Sequence, residues 1–138
     1  MKILAGLITF SLGFTASAIF TSAQANPADE QYFCKAFSAY EESLSKKLPM
    51  PTDSITDTIS MRINCATKRQ TWTRQIKITD GELAAGWRER KQKQHTQLHC
   101  NKEGLASTLG WTVIDQFYDK DFKFLTELVT TPEMCIIR

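Results

Sequence analysis

The sequence lacks a strong excess of either charge. Its 138 residues include 17 Lys or Arg and 15 Asp or Glu, which gives a formal net charge of +2 at pH 7. A balance this even creates no whole-protein field that would attract nucleic acid or an anionic membrane surface. We therefore expect no nucleic-acid partner.

The short motifs of common metal and hydrolytic sites are also missing. No G-x-S-x-G nucleophile elbow occurs in the sequence. Consecutive cysteines lie 31, 35 and 35 residues apart, whereas the ligands of a CxxC-type zinc or redox motif sit together on a tight turn. The sequence therefore predicts a protein that is not an enzyme and that uses no cofactor.

Only one long apolar run is present, and it begins the chain. Residues 3–20 carry no charge and follow Lys2, and the small-residue pattern Ala23-Gln24-Ala25 comes next. This arrangement is typical of a secretory signal peptide cleaved after Ala25. The alternative, an uncleaved membrane anchor, would call for a basic stop-transfer cluster, and a polar stretch follows instead. We expect residues 1–25 to be removed, leaving residues 26–138 as one periplasmic or secreted domain without a stable membrane anchor.

All four cysteines lie in the predicted mature part. They are Cys34, Cys65, Cys100 and Cys135. An even number of cysteines in a small exported protein indicates disulfide bonds. Four cysteines allow three connectivities, and their spacing does not choose among them.

The periodicity of the apolar residues predicts an α+β fold. Phe33 and Phe37 recur at helical spacing, whereas Ile59, Met61 and Ile63 alternate with polar residues as in a strand. The predicted order is α-β-β-α-(α)-β-β, with helices at 29–47 and 82–100, a short helical turn within 101–111, strands at 58–65 and 71–78, and a final hairpin within 111–135. We expect a four-stranded antiparallel sheet with helices on one face.

Three charged residues stand out against this pattern. Arg74 interrupts the apolar face of the second strand, so we expect it at a sheet edge or directed to water. Asp115 and Asp119 resemble paired catalytic carboxylates, but we interpret them as turn and surface residues.

The stretch HTQLHC, residues 95–100, is a candidate metal site. His95 and His99 lie one helical turn apart and could chelate one divalent ion. The glutamate of an HExxH motif is absent, however, and Cys100 is predicted to be oxidised. We therefore expect two solvated histidines and no metal, with metal binding as the alternative function.

The stretch WRERKQKQH, residues 87–95, is a candidate binding patch. It combines a tryptophan with a local basic cluster that could dock an acidic partner. The alternative is an ordinary solvated helix face, since Glu89 interrupts the cluster. The patch residues are Trp87, Arg88, Arg90, Lys91 and Lys93.

Residues 44–135 resemble a family of small exported bacterial proteins, the quorum-sensing-regulated virulence factor family. The segments that carry the resemblance are SLSKKLPMPTDSITDTISM, TWTRQIKI, a helix ending LHC, and GWTVIDQFYDKDFKFLTELVTTPEMC. One departure is Phe122 after Asp121, where the family often has glycine. The resemblance implies a virulence-associated periplasmic or secreted α+β domain and no enzymatic residue.

The resemblance also implies a disulfide pairing. The family pattern joins the end of the helix to the end of the sheet, which corresponds to Cys100–Cys135. Cys34 and Cys65 are additional to that pattern and would then pair with each other, tying the first helix to the first strand.

These observations predict a non-enzymatic accessory or protein-binding protein of the cell envelope, with a virulence- or secretion-related role. Its expected partner is another envelope protein. The alternatives are a metal-binding protein that uses His95 and His99, a small secreted inhibitor and, least favoured, a small hydrolase.

Overall fold

The computed structural model describes residues 27–136, so the predicted signal peptide and its cleavage site lie outside the described residues. Within that range the elements are α1 (Pro27–Ser45), β1 (Met50–Pro51), β2 (Thr56–Asn64), β3 (Arg69–Ile76), α2 (Trp87–His99), α3 (Leu105–Leu109), β4 (Thr112–Tyr118) and β5 (Phe124–Thr130), with 3-10 helices at Asp80–Glu82 and Pro132–Cys135.

The strands form one mixed sheet in the order β1-β2-β3-β4-β5. The α+β class is confirmed, but the prediction of four antiparallel strands is wrong in two respects. A two-residue strand, β1, pairs with β2, and β3 pairs with β4 in parallel. The parallel pairing follows from the helices between those strands, because the chain crosses back along them before it enters β4.

The helices pack on the face of the sheet that carries alternate residues of β4. Trp87 of α2 stacks edge-on against Phe117, with ring centroids 5.3 Å apart. Phe37 of α1 stacks in the same way against Trp111, at 5.1 Å. Trp111 immediately precedes β4 and lies an even number of residues from Phe117, so both point to the same side. We call this side the helix-covered face.

The core is small and contains many polar side chains. Its buried apolar residues are Leu44, Met61, Ile76, Ala106, Trp111, Val113, Ile114, Phe117 and Leu128. Its buried polar residues are Thr56, Thr58, Gln70, His95, Asp115, Asp119 and Thr130. A buried polar group without a hydrogen bond is costly, so we searched for a functional site among these buried polar residues and their hydrogen-bond partners.

The turn between β4 and β5 is organised by Asp119. Its Oδ1 accepts hydrogen bonds from the backbone N–H groups of Asp121 (2.8 Å) and Lys123 (2.9 Å). Asp119 therefore bonds its own turn, as an aspartate there is suited to do, but it is buried, so its interpretation as a surface residue is wrong. Phe122, inside the turn, has a φ of 59° and is 59% exposed.

Two disulfides connect the helices to the strands. Cys34 is bonded to Cys65 and Cys100 to Cys135, with Cα–Cα distances of 5.7 and 5.0 Å. These are the pairs that the family resemblance implied, and both distances lie in the usual disulfide range. The first bridge ties α1 to the end of β2, and the second ties the end of α2 to the segment after β5.

Candidate functional site

A buried ion pair lies on the helix-covered face, at the centre of the sheet. Arg74 Nε donates to Asp115 Oδ2 at 2.8 Å, and the two side chains are only 17% and 10% exposed. Arg74 Nη1 also donates to Thr58 Oγ1 at 2.8 Å. Arg74 is therefore neither at a sheet edge nor in water, and Asp115 is not a surface residue, so both expectations are wrong. Each charge is tolerated because the other, with the threonine hydroxyl, replaces its hydration.

His95 reaches this ion pair from α2. Only 5% of His95 is exposed, and its Nδ1 lies 2.7 Å from Oγ1 of Thr130 on β5. Its Nε2 lies 3.9 Å from Asp115 Oδ1. The expectation of a solvated His95 is wrong, because α2 directs polar as well as apolar residues toward the sheet.

Polar side chains of α2 face the sheet because β5 is an edge strand. Gln92 of α2 forms two hydrogen bonds with the backbone of Val129: its Nε2 donates to the carbonyl at 2.8 Å, and its Oε1 accepts from the N–H at 3.1 Å. A helix that covers an edge strand needs side chains of this kind, since the strand offers unpaired backbone groups. The polar face of α2 is therefore an internal contact surface near β5.

The two histidines contact each other without forming a metal site. Their ring centroids are 4.6 Å apart. Burial lowers the pKa of His95 to about 4, and burial also lowers the pKa of His99. Among residues 27–136, no group of three or more His, Cys, Asp or Glu side chains is placed to hold a metal ion.

Two buried polar atoms of this cluster have no hydrogen-bond partner in the part of the chain that the structure describes. They are Nε2 of His95 and Oδ1 of Asp115. Their separation of 3.9 Å is too long for a direct hydrogen bond. Both atoms belong to residues that line one cleft, but less than 1 Å² of either atom is exposed.

The cleft lies between α2, the β1–β2 segment and the sheet. Its volume is about 180 Å³. Arg74, His95 and Asp115 are among its polar lining residues. The remaining lining residues are Thr52, Asp53, Thr56, Lys91, Gln94, Leu98, Phe117 and Leu128.

The cluster resembles a hydrolytic triad in its connections but not in its access. Thr130, His95 and Asp115 follow one another as a hydroxyl, an imidazole and a carboxylate. However, Thr130 is 0% exposed, so its hydroxyl cannot reach a substrate carbonyl. All four cysteines are in disulfides, so no thiol is available as a nucleophile either.

The predicted binding patch is divided among different surroundings. Trp87 packs against the core cluster of Ile76, Phe117 and Leu128. Arg88 is close to Asp80 in an ion pair, and Arg90 Nη1 donates to the carbonyl of Ala85 at 2.6 Å. Lys91 lines the cleft, whereas Lys93 lines a shallower depression on the other side of α2.

Sequence reasoning missed Arg74 and Asp115 as site residues. A signal was available, since each charge lies among apolar residues that alternate along its strand. Their side chains meet because β3 and β4 are parallel neighbours, with Trp72 opposite Asp115 and Arg74 opposite Phe117. The predicted antiparallel sheet gave no reason to place Arg74 next to Asp115.

No protein-family model matches the sequence, and no curated protein matches it either. Solved structures do match its fold. A pilotin from the type 2 secretion system of Vibrio vulnificus is 13% identical with a TM-score of 0.57, over 80% of this chain and 97% of that one. The type II secretion system pilotin of Vibrio cholerae is 15% identical with a TM-score of 0.54, over 78% and 97%.

A secreted protein of Pseudomonas aeruginosa is similar in the same way. It is 11% identical, with a TM-score of 0.59 over 80% of this chain and 98% of that one. At these identities the likeness concerns the fold alone. The chain therefore shares its architecture with two secretion pilotins and with one secreted protein.

Proposed function

We propose that the protein is a non-enzymatic component of the cell envelope that holds a segment of another envelope protein in the cleft beside α2. The observation that carries this proposal is a cleft of about 180 Å³ whose lining combines polar side chains with the apolar Leu98, Phe117 and Leu128. Pockets with a few placed polar groups among apolar side chains are typical of binding sites.

The fold supports the class of partner. Two of the similar structures are pilotins of type 2 secretion systems, so we propose a protein of a secretion machinery as the partner. Within residues 27–136, the Thr130 hydroxyl beside His95 is fully buried and every cysteine is in a disulfide, which favours binding over catalysis. The family resemblance adds a virulence-associated role to this proposal.

The proposal requires export. Residues 1–25 would be removed and residues 26–138 would form the mature domain in the periplasm or outside the cell. N-terminal sequencing of the exported protein should begin at Asn26. Recovery of a chain that still begins at Met1 in the cytoplasm would contradict the proposed location.

Site-specific photocrosslinking tests the binding site. We would place p-benzoylphenylalanine at Gln94, an exposed residue that lines the cleft, and at Gln31, an exposed residue of α1, as the matched control. After irradiation in intact cells of the native host, the Gln94 probe should crosslink one envelope protein that the Gln31 probe does not. Equal crosslinking from both positions, or none from Gln94, would argue against the cleft as the interface.

A further inference from the structure

We infer that the outer edge of β5 pairs with an extended segment of another protein, in which the residue that bonds the backbone of Glu127 carries a basic side chain. This surface is separate from the cleft, so the inference goes beyond the proposed function. It rests on three observations: the direction of the backbone groups of Glu127, the space beside them and the charge of its side chain.

The backbone N–H and carbonyl of Glu127 point away from the sheet. In the strand order of this sheet, β5 is an edge strand next to β4. Gln92 reaches both the N–H and the carbonyl of Val129 from α2, so these groups face outward rather than toward β4. In an antiparallel pair the outward direction recurs at every second residue. It therefore applies to Glu127, and also to Leu125, whose carbonyl accepts from Arg88 Nε at 3.4 Å.

Side chains of α2 cap two of these three outward residues and leave the middle one open. Arg88 caps Leu125 and Gln92 caps Val129, while Glu127 lies midway between them. Among residues 27–136, no group outside the sheet forms a hydrogen bond with the backbone of Glu127. Unpaired backbone groups on an edge strand are a template for another extended chain.

A depression lies beside this open position. Its volume is about 480 Å³, within the range of roughly 300–1,000 Å³ that is usual for binding pockets. Residues 126–128 of β5 form one wall, and α2 forms the other through Arg88, Glu89, Gln92 and Lys93. An extended chain can therefore reach Glu127 from the side that the sheet leaves free.

The side chain of Glu127 indicates the charge of the partner. It is exposed and alternates with the buried Leu128, so it lies on the face of the sheet opposite to α2. Its carboxylate accepts from Gln116 Nε2 at 2.9 Å, and within residues 27–136 it belongs to no ion pair. A residue that pairs with Glu127 places its own side chain directly opposite, where an unlike charge is stabilising. The expected residue is therefore Lys or Arg.

The same charge disfavours a second copy of this chain as the partner. Glu127 is the open one of the three outward residues, so a symmetric pairing of two β5 edges would place it opposite its own copy. Like charges directly opposite each other destabilise a strand pair. The edge therefore fits a different protein.

Three capped peptides test the inference on the folded, disulfide-bonded protein. They are acetyl-Thr-Val-Lys-Val-Thr-amide, the same peptide with glutamate in place of lysine, and the lysine peptide methylated on its lysine backbone nitrogen. We would titrate each into the ¹⁵N-labelled protein and follow backbone amide shifts by NMR. We expect saturable shifts centred on Glu127, with the lysine peptide at least threefold tighter than the glutamate peptide. It should also be at least fivefold tighter than the methylated peptide, which lacks the N–H that bonds the Glu127 carbonyl.

Three results would overturn the inference. One is the lack of a saturable shift at Glu127 with the lysine peptide up to about 10 mM. Another is an equal affinity of the lysine peptide and either of the other two. The third is a Glu127 shift that grows with protein concentration in the absence of peptide, since it would indicate pairing with a second copy.

A reversal of charge provides matched variants. Glu127→Lys keeps the open backbone groups and reverses the charge beside them, so this variant should bind the glutamate peptide more tightly than the lysine peptide. Glu103→Lys makes the same change in net charge at an exposed residue that does not line the depression, and it should keep the original preference within twofold. An unchanged preference in Glu127→Lys, or a reversed preference in both variants, would contradict the assignment.

Discussion

His95 is the residue whose surroundings matter most to the cleft. It brings one nitrogen to Thr130 and the other toward Asp115, and both contacts are buried. The imidazole is more favourable there than the imidazolium, because burial withdraws hydration from the charged form. The neutral ring is what lets His95 act as a hydrogen-bonding group rather than as a charge.

The depressed pKa of His95 predicts a stability change in acid. The pKa is about 4 in the folded protein, against 6.5 for an ordinary histidine. Between those pH values the unfolded chain takes up a proton that the folded chain does not, so the free energy of unfolding falls as the pH falls. We expect the contribution of His95 to fall by on the order of 2 kcal/mol, all of it retained above pH 6.5.

Urea unfolding at pH 7 and at pH 4.5 would measure this effect, with His95→Gln as the comparison. The carboxylates titrate in both proteins, so the difference between them isolates the histidine. If the two proteins lost the same free energy between the two pH values, His95 would already be charged in the folded state.

Substitution of Phe122 should raise the free energy of unfolding rather than lower it. Its φ of 59° is a conformation that suits glycine, and its side chain is 59% exposed. Phe122→Gly should therefore raise the free energy of unfolding by about 0.5–1 kcal/mol, because strain is removed and little buried surface is lost. Phe124→Gly, in β5, is the control and should lower it. Destabilisation of similar size by both substitutions, measured by chemical denaturation, would contradict this explanation.

At the scale of elements, the contact of β3 with β4 brings the ion pair together. The strands lie side by side in parallel, so Arg74 and Asp115 lie two residue pairs apart along the ladder and therefore on the same face. This is also the reason that both charges are buried. Neither strand is at the edge of the sheet, and α2 covers the face on which they meet.

The ion pair yields a test by double substitution. Arg74→Met or Asp115→Leu alone should destabilise the protein by about 3–5 kcal/mol, since each leaves a buried charge without its partner. The two substitutions together should recover most of that loss. Thermal or chemical unfolding of the three variants checks this, and a double variant no better than the sum of the singles would contradict it.

Lys46→Met supplies the control for that experiment. Lys46 pairs with Glu42 at 3.4 Å, but their side chains are 72% and 75% exposed. Loss of such a surface pair should change the free energy of unfolding by less than about 0.5 kcal/mol.

In the last hairpin, one extra residue changes which side chains of β5 face the core. The sequence pattern places Phe122, Phe124 and Leu128 on one side of the returning strand. In the structure, Phe122 lies in the turn, and a register shift follows Phe117. Leu128 consequently reaches the core, whereas Phe124 stacks on Tyr118 and stays half exposed. A bulge inserts one residue into a period of two, and no periodicity argument detects it.

At the scale of the whole molecule, the two disulfides hold the helices on a modest core. They close loops of 31 and 35 residues. In the chain-entropy model each contributes about 4 kcal/mol, a large share of the stability of a domain this size. Replacing either pair with alanines should lower the free energy of unfolding by about that amount.

Peptide mapping without reduction tests the connectivity directly. It should recover one peptide linked through Cys34–Cys65 and one linked through Cys100–Cys135. A peptide linked through Cys34–Cys100 would contradict both the pairing and the placement of the helices.

The sequence by itself determined the local features. The period of its apolar residues predicted three helical segments, two of the longer strands and the last hairpin, because the pattern of burial along one element is written in its own residues. Composition and the missing motifs favoured a protein that binds over one that catalyses. The short strand β1, by contrast, was not predicted, because it lies in a proline-containing segment that carries no strand pattern.

Only the tertiary structure decided the topology and the site. The parallel neighbourhood of β3 and β4 arises from how the chain crosses back over the sheet, and no local pattern encodes that choice. Arg74, His95 and Asp115 are 41 residues apart at the extremes, and each looks ordinary in its own segment. They line one cleft because three elements converge there.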